Sequence, residues 1–311
     1  MRVLLTGATG RIGQQVLRKL VERGDNVSVL VRPESSAGAK QILSLKRLNG
    51  VTVVRSSLFD IEALKRAARG VDVICHLAWA TGLERERSDV AAAMLRLTEN
   101  LLKASNETGA GRFVFISSVS VYGSQNKEVW GPIKENAPLS GSGLYARSKI
   151  EAERLVRRFS ADYGLSFIVL RASLVYGPGV PYIERFVNQV LTHPFLSLYR
   201  NDKDRIQLIH LQDVAEAVVL SAMKLKGNIN GTFNVAGTEV LSQAELAEVV
   251  NGFVLRLSNL RRSTLPMGSR FHSACELKYD ISKVREILGF VPRMNLQEGF
   301  SEIVLARRPG G

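Results

Sequence analysis

The sequence predicts an α/β fold: a doubly wound parallel Rossmann sheet followed by a smaller, irregular C-terminal substrate-binding region. The first reason is that short β-branched runs alternate with longer amphipathic stretches from the N-terminus onward. The second is that these runs are almost wholly apolar, which is typical of strands that helices cover on both faces. The third is a glycine-rich turn directly after the first run, where such sheets bind their ligands.

The strands and helices follow from the period of the apolar residues. Six short apolar runs predict strands over Arg2–Leu5, Asn26–Val31, Val51–Arg55, Val71–Leu77, Arg112–Ser117 and Ser166–Leu170. Amphipathic stretches between them predict helices over Ile12–Arg23, Ile61–Ala68, Val90–Ala104 and Tyr145–Tyr163. Because strands joined by helices form parallel sheets, these elements predict a sheet with helices on both faces.

The regular alternation stops near residue 172, and Gly177-Pro178-Gly179 then marks a loop. We therefore expect an NAD(P)-binding Rossmann domain over residues 1–172 and a smaller substrate-binding region over residues 173–311. The sequence has no long linker between the two parts, so we expect them to pack as one unit with interleaved elements.

Composition limits the class of protein. The 311 residues are 45% hydrophobic and 23% charged, which is ordinary for a soluble globular chain. They contain no run of about 18 apolar residues and no signal peptide, so we expect a cytoplasmic protein that does not cross a membrane. The net charge of +13 would suit nucleic acid, but Lys and Arg are scattered and no nucleic-acid-binding motif accompanies them. We expect a basic surface that favours small anionic ligands instead.

Three chemically conspicuous residues are expected to be structural. Cys75 lies in an apolar run, which favours a buried core thiol over a redox role and fits a reducing compartment. His210 also lies in an apolar strand, and Asp213 can cap the helix that follows. The two cysteines of the chain are far apart and not in metal-ligand spacing, so we expect no metal site.

A glycine loop follows the first predicted strand and opens the first helix. Gly7, Gly10 and Gly13 let the backbone turn sharply, approach a pyrophosphate and pack the helix against the strand. Arg11 and Ile12 lie between the last two glycines, at the helix N-terminus, whose N–H groups attract phosphate. This position in the chain predicts a dinucleotide site rather than an ordinary tight turn.

The residue after the second strand bears on the choice of dinucleotide. An acidic residue there would bind the ribose hydroxyls of NAD, whereas an arginine favours the extra phosphate of NADP. Here Val31 is followed by Arg32, and the first carboxylate comes only at Glu34. Arg11 could join Arg32 around that phosphate. We expect NADP(H) to be favoured over NAD(H); the alternative is that Arg32 is a solvated loop residue.

Ser118, Tyr145 and Lys149 form the predicted catalytic group. Ser118 follows an apolar strand, and Tyr145 and Lys149, four residues apart, share one face of a predicted helix. A free tyrosine has a pKa of roughly 10, but a nearby ammonium favours the phenolate. Tyr145 could then exchange a proton with a substrate hydroxyl while hydride moves to or from the cofactor. Ser118 would bind the same oxygen and Lys149 the nicotinamide ribose; the alternative is an ordinary surface pair of Tyr and Lys.

Short segments spread over nearly the whole chain are typical of one family. They are Thr6–Gly13, His76–Ala78, Ser117–Gly123, Tyr145–Lys149, Leu170–Gly179, Ile209–Ala215, Phe233–Gly237, Asp280–Lys283 and Leu288–Phe290. Through them the chain resembles the extended short-chain dehydrogenase/reductases, the NAD-dependent epimerase/dehydratase family.

The resemblance implies roles for particular residues and a partner. The catalytic residues of the family would be Ser118, Tyr145 and Lys149. Family members often form dimers, here a homodimer through two of the predicted helices. The adenine and ribose side of the cofactor would be lined by Ser57, Leu58, Leu77, Ala78 and Trp79.

Several positions depart from the family's pattern. Val119-Ser120 stands where the family's dehydratases carry Asp-Glu, so we expect no dehydration. Leu174 replaces the usual asparagine beside the sugar nucleotide, Ile206 replaces a phosphate-binding arginine, and Arg270 aligns with a second such arginine. The candidate substrate-binding residues are therefore Ser118, Leu174 and Arg270, and the departures count against a standard UDP-sugar.

The leading hypothesis is an NAD(P)-dependent enzyme that acts on a nucleotide sugar as a 4-epimerase or 4-ketoreductase. The alternative is an NADPH-dependent carbonyl reductase of the flavonol-reductase or steroid-dehydrogenase type, whose more apolar substrate would suit Leu174, Ile206 and Trp79. A third hypothesis is a non-catalytic NADP-sensing regulator, but such a protein has no need of the catalytic group.

Overall fold

A seven-stranded parallel sheet lies at the centre of the computed structural model, which describes residues 1–32, 48–57, 59–80, 84, 86–123, 131–192, 205–224, 229–257 and 278–306. The strands are β1 Arg2–Thr6, β2 Asn26–Val31, β3 Val51–Arg55, β4 Val73–His76, β5 Phe113–Ser118, β6 Phe167–Ala172, β7 Leu174–Tyr176, β8 Arg205–His210, β9 Gly231–Val235 and β10 Val240–Ser242. The helices are α1 Arg11–Glu22, α2 Ile61–Ala68, α3 Ser88–Thr108, α4 Leu144–Tyr163, α5 Pro181–Thr192, α6 Leu211–Met223, α7 Gln243–Leu257, α8 Ser282–Leu288 and α9 Leu296–Leu305. The strands and helices expected from apolar periodicity are confirmed, with ends that differ by a few residues.

The order of the strands confirms the doubly wound topology. From one edge it is β3-β2-β1-β4-β5-β6-β9, and every neighbouring pair is parallel. The chain moves outward from β1 to β3 and then crosses to β4 on the other side of β1. In such sheets, ligands bind in the crevice where the order reverses. Here that crevice lies at the carboxyl ends of β1 and β4.

Helices cover both faces of this sheet through two apolar clusters. Successive residues of β1 face opposite sides, so that Val3 and Leu5 belong to one cluster and Leu4 to the other. The first cluster includes side chains of α1, α6 and α8, and the second those of α2, α3 and α4. Because both faces are buried, the strands read as continuous apolar runs.

A second, three-stranded sheet forms a smaller unit with α5, α7 and α9. In it β7 runs parallel to β8, and β10 runs antiparallel to β8. Its apolar cluster includes Ile183, Leu246 and Phe300. Between β8 and β10 the chain returns to the large sheet, where β9 pairs with β6. Residues 231–235 therefore belong to the large sheet although they come late in the chain.

All three conspicuous residues are buried, and Asp213 makes a different contact from the one expected. Cys75 is fully buried, and burial raises the pKa of its thiol to about 12. His210 ends β8 and caps α6, because its Nδ1 accepts a hydrogen bond from the N–H of Gln212 at 3.4 Å. The expectation that Asp213 caps this helix was wrong. Its carboxylate accepts instead from the N–H groups of Arg293 and Met294, both at 3.1 Å.

The described part of the chain contains neither a membrane-spanning helix nor a metal-binding cluster. None of its helices has the length and apolar composition needed to span a bilayer. The same residues contain no group of three or more His, Cys, Asp or Glu side chains that could hold a metal ion.

Candidate active site

The glycine loop between β1 and α1 leaves no room for a side chain at two of its glycines. Gly7 has a φ of +77°, and a Cβ atom there would lie 2.7 Å from the backbone nitrogen of Ala78. A Cβ atom at Gly13 would overlap the carbonyl oxygen of Gly7. Gly10 is exposed, so the outer surface of the loop stays open. The loop is thus a tight turn whose backbone an extended ligand can approach.

The N-terminus of α1 makes the opening beside this loop positive. Gly10 is the N-cap residue, so no side chain caps the helix, and the first turn contains no acidic residue. The N–H groups of that turn, which begins with Arg11 and Ile12, therefore favour an anion. The Arg11 side chain extends to the loop after β7, where a Cβ atom on Gly179 would overlap its guanidinium carbon. Arg11 thus adds a full positive charge to that of the helix N-terminus.

A chain of hydrogen bonds holds the end of β4 against the glycine loop. Thr6 Oγ1 accepts from the N–H of Ala78 at 3.2 Å and lies 2.8 Å from His76 Nδ1. His76 Nε2 lies 3.0 Å from Thr98 Oγ1, whose hydroxyl donates to Met94 O at 2.9 Å. Because that bond uses the Thr98 proton, His76 donates from Nε2 and accepts the Thr6 hydroxyl at Nδ1. Burial lowers the pKa of His76 to about 3, so the ring is neutral, as this arrangement requires.

The three predicted catalytic residues lie at the carboxyl end of β5 and in the first turns of α4. Ser118 ends β5, and its Oγ accepts a hydrogen bond from the N–H of Ser120 at 3.2 Å. Tyr145 lies in the first turn of α4, and Lys149 Nζ is 5.9 Å from the centre of its ring. Lys149 Nζ also donates to the carbonyl oxygen of Ile116 at 2.7 Å, two residues before Ser118. Lys149 therefore links Tyr145 on the helix to the strand that ends in Ser118.

Aromatic rings surround the Lys149 ammonium. Its Nζ lies 3.7 Å from the centre of the Trp79 ring and 4.7 Å from that of Phe115. The side chain is 2% exposed. Burial lowers the pKa of Lys149 well below its ordinary value, and the negative charge of Glu153 opposes this effect. The ammonium thus lies in an apolar environment, where nearby charges and rings act on it strongly.

A buried ion pair lies one turn further along α4. Glu153 accepts two hydrogen bonds from Arg171, at 2.9 and 2.6 Å, and a third from the Ser117 hydroxyl at 2.6 Å. Burial alone would raise the pKa of Glu153, but Arg171 and Ser117 hold it below its ordinary value. Arg171 also donates to the Tyr122 hydroxyl at 2.9 Å, which in turn donates to Asn234 Oδ1 at 2.6 Å. This network joins α4, β5 and β6 to β9.

The remaining predicted site residues lie around this centre or outside the described residues. Arg32 is exposed directly after β2, and Ser57 is exposed after β3, where its Oγ accepts from the N–H of Phe59 at 3.3 Å. Leu174 on β7 is partly buried and packs beside Ile206 against the apolar cluster of the smaller sheet. The expected homodimer stays a prediction. The predicted residues that lie outside the described part are Leu58 and Arg270.

Several groups that hold the site were given no role by sequence reasoning. His76 and Arg171 are polar residues at the ends of apolar strands, which was a usable signal of a buried polar network. Glu153 follows Lys149 by four residues and therefore shares its helix face. Thr98 carried no comparable signal, because a threonine within an amphipathic helix is ordinary.

Comparison with known proteins found relatives over the full length of the chain. The sequence model of the NAD dependent epimerase/dehydratase family matches residues 3–236. A dTDP-glucose 4,6-dehydratase from Streptomyces niveus is 28% identical over 98% of this chain and 92% of its own length. The structure of UDP-glucose 4-epimerase from Thermotoga maritima with UDP-glucose is 25% identical, with a TM-score of 0.78 over 98% of both chains. A dTDP-glucose 4,6-dehydratase double mutant from Streptomyces venezuelae with NAD bound is also 25% identical, with a TM-score of 0.78 over 98% of this chain and 96% of its own.

Proposed function

This chain belongs to the NAD dependent epimerase/dehydratase family, and on that basis we propose that it transfers hydride at a carbinol or keto carbon of a nucleotide sugar. The observation that carries the proposal is the link from Tyr145 through Lys149 to the end of β5, beside the glycine loop. The relatives support the substrate class, since they are named for reactions of dTDP-glucose and UDP-glucose.

The glycine loop fits a nicotinamide dinucleotide. Gly7 and Gly13 leave no space for side chains, so the backbone is open to close approach by a pyrophosphate. The N–H groups at the start of α1 would bind its phosphates, with Arg11 beside them. The dinucleotide supplies the hydride acceptor or donor when it is bound. Candidates for its adenine and ribose side are Ser57, Leu58, Leu77, Ala78 and Trp79.

We further propose that NADP(H) is favoured over NAD(H). Arg32 is exposed at the end of β2, where an arginine can pair with a 2′-phosphate. Arg11 provides a second positive charge at the same end of the sheet. The dehydratase structure from Streptomyces venezuelae holds NAD, so the preference proposed here depends on this chain's own arginines.

In this proposal, residues of α4 and β5 carry out the proton transfer. Tyr145 would take the proton of the substrate hydroxyl, or return it, because the Lys149 ammonium favours its phenolate. Ser118 accepts from the N–H of Ser120, which leaves its own hydroxyl proton for the substrate oxygen. Val119 and Ser120 provide no acid for the removal of water, so we propose epimerisation or ketoreduction rather than dehydration.

The test is turnover of UDP- and dTDP-sugars and their 4-keto forms with NAD(H) or NADP(H), followed by sugar-nucleotide chromatography and nicotinamide absorbance. An epimerase interconverts sugars with no net change in the cofactor, whereas a reductase consumes it. Tyr145→Phe should lower turnover by roughly 10²–10⁴-fold with cofactor affinity nearly unchanged. Tyr163→Phe, at the exposed far end of α4, is the matched control and should have wild-type activity. Full activity of Tyr145→Phe would show that the catalytic assignment is wrong.

A further inference from the structure

Trp79 is the aromatic residue closest to the Lys149 ammonium. Lys149 Nζ lies 3.7 Å from the centre of the Trp79 ring, against 4.7 Å for Phe115 and 5.9 Å for Tyr145. Within the described part of the chain, the one hydrogen bond that this ammonium donates goes to the carbonyl oxygen of Ile116. The indole face therefore takes the place that water would have around an exposed lysine.

The position of the Trp79 ring follows from the hydrogen-bond chain at the end of β4. Ala78, the preceding residue, donates its N–H to Thr6 Oγ1 at 3.2 Å. The ring itself packs edge-on against Phe115, with centres 5.7 Å apart and an interplanar angle of 62°. It also lies 6.3 Å from the ring of His76. The hydrogen bond at Ala78 thus fixes the backbone beside Trp79, and the contacts with Phe115 and His76 fix the orientation of its ring.

We propose that Trp79 is a positioning residue, which holds the Lys149 ammonium against its indole face and keeps it charged beside Tyr145. The inference rests on the function proposed above, since it needs Lys149 and Tyr145 to act as a pair. A cation is attracted to the negative face of an aromatic ring, most strongly to tryptophan and most strongly where water is excluded. All of these conditions hold at Lys149.

The other ionisable groups around Lys149 do not replace this contact. On α4, Glu153 attracts the ammonium but is paired with Arg171. On β4, burial lowers the pKa of His76 to about 3, so its ring carries no charge. β5 contributes no ionisable group: Lys149 Nζ donates to the carbonyl oxygen of Ile116 and lies 4.7 Å from the Phe115 ring, further than from Trp79. Since burial already lowers the pKa of Lys149, removal of the indole should lower it further and raise the pKa at which Tyr145 ionises.

The experiment measures the ionisation of Tyr145 directly and needs no substrate. The chain has seven tyrosines, so the signal of Tyr145 must be isolated from the others. Each protein is titrated with pH beside the same protein carrying Tyr145→Phe, and the difference in phenolate absorbance reports Tyr145 alone. Trp79→Leu should raise the midpoint of Tyr145 by about 1 pH unit. Trp79→Phe keeps a ring face and should raise it by less than half as much. An unchanged midpoint in Trp79→Leu, or equal shifts in both variants, would overturn the proposal.

A second measurement keeps the shape of the side chain and so avoids any failure to fold. The chain has two tryptophans; Trp130, outside the described residues, is replaced by Phe and fluorinated tryptophans are incorporated at position 79. Each added fluorine weakens the negative face of the ring, so the Tyr145 midpoint should rise step by step. A midpoint that does not change with fluorination would show that the ring acts only by filling space.

A Lys149→Met background separates failure of this inference from failure of the proposed function. If Lys149 and Tyr145 act as a pair, Lys149→Met alone raises the Tyr145 midpoint, and Trp79→Leu adds nothing further in that background. No change in Lys149→Met would contradict the proposed function, because the lysine would not act on Tyr145. A response to Lys149→Met without a response to Trp79→Leu would refute only the role of Trp79.

Discussion

Glu153→Gln tests how much the buried ion pair between α4 and Arg171 on β6 stabilises the fold. Both side chains are 1% exposed, and two hydrogen bonds of 2.9 and 2.6 Å join them. Glutamine has almost the same size but no charge, so the variant leaves the guanidinium buried beside a neutral partner. Removing one charge of a buried pair costs about 3–5 kcal/mol. We expect the free energy of unfolding to fall by that amount.

The assay is reversible urea unfolding, monitored by circular dichroism at neutral pH. The matched control is Glu22→Gln, which removes a carboxylate 2.8 Å from Arg18 on α1, where the two side chains are 58% and 72% exposed. Solvent weakens that pair, so its loss should cost less than about 1 kcal/mol. Replacing Glu153 and Arg171 together by Met removes both charges and should recover much of the stability lost in Glu153→Gln.

The reasoning would be refuted if Glu153→Gln lost no more stability than the exposed control. The pH dependence of unfolding provides an independent check that the charged form of Glu153 stabilises the fold. Arg171 and Ser117 hold the pKa of Glu153 below its ordinary value against the effect of burial. The stabilisation is therefore present above the ordinary carboxyl pKa and lost as pH falls through the lowered one. The stability difference between wild type and variant should shrink in that range.

Three other changes have expected outcomes. Arg32→Asp should weaken NADP binding by about 10- to 100-fold and NAD binding far less, as measured by titration calorimetry. Arg285→Asp, at another exposed arginine, is the control. Equal losses of NADP and NAD affinity in Arg32→Asp would contradict the NADP preference. Gly13→Ala forces a Cβ atom onto a carbonyl oxygen and should cost about 1–3 kcal/mol of stability and cofactor binding, whereas Gly252→Ala on α7, which meets nothing within 4 Å, should be neutral or stabilising in thermal melts. Burial lowers the pKa of His76 from 6.5 to about 3, so as pH drops the unfolded chain binds a proton before the folded chain does, and the free energy of unfolding falls between these two values. His76→Gln should flatten the slope of unfolding free energy against pH in this range. An unchanged slope would argue against a buried neutral ring.

The sequence alone predicted those strands and helices of the large sheet that are indicated by a pattern within a few neighbouring residues. Strands β1, β2, β4, β5 and β6 are mostly buried and therefore appear as apolar runs bounded by turns. The edge strand β3 is only partly buried, but it still appears as a β-branched run. The glycine loop and the pair of Tyr145 and Lys149 were visible for the same reason, since their spacing lies within one or two turns of chain. β9 was not predicted, because nothing near residues 231–235 indicates that they pair with β6.

The groups that support the proposed catalytic residues depend on contacts between distant parts of the chain. His76 is 70 residues from Thr6 and 22 from Thr98, so no local pattern could reveal the hydrogen bonds that orient its ring. Asp213 was expected to cap its own helix, but it binds backbone N–H groups 80 and 81 residues away. Helix capping is a local rule, and here a tertiary contact uses the carboxylate instead.

The pairing of β9 with β6 has a consequence for how this protein is made. When residue 172 leaves the ribosome, β6 has its partner β5 on one side, but the strand for its other side has not yet been synthesised. At about 5–20 residues per second, that edge waits for several seconds. Unpaired backbone groups on an apolar strand are a template for aggregation. A gene truncated at residue 172 would make that exposed edge permanent, so residues 1–172 alone should not persist as a soluble fragment.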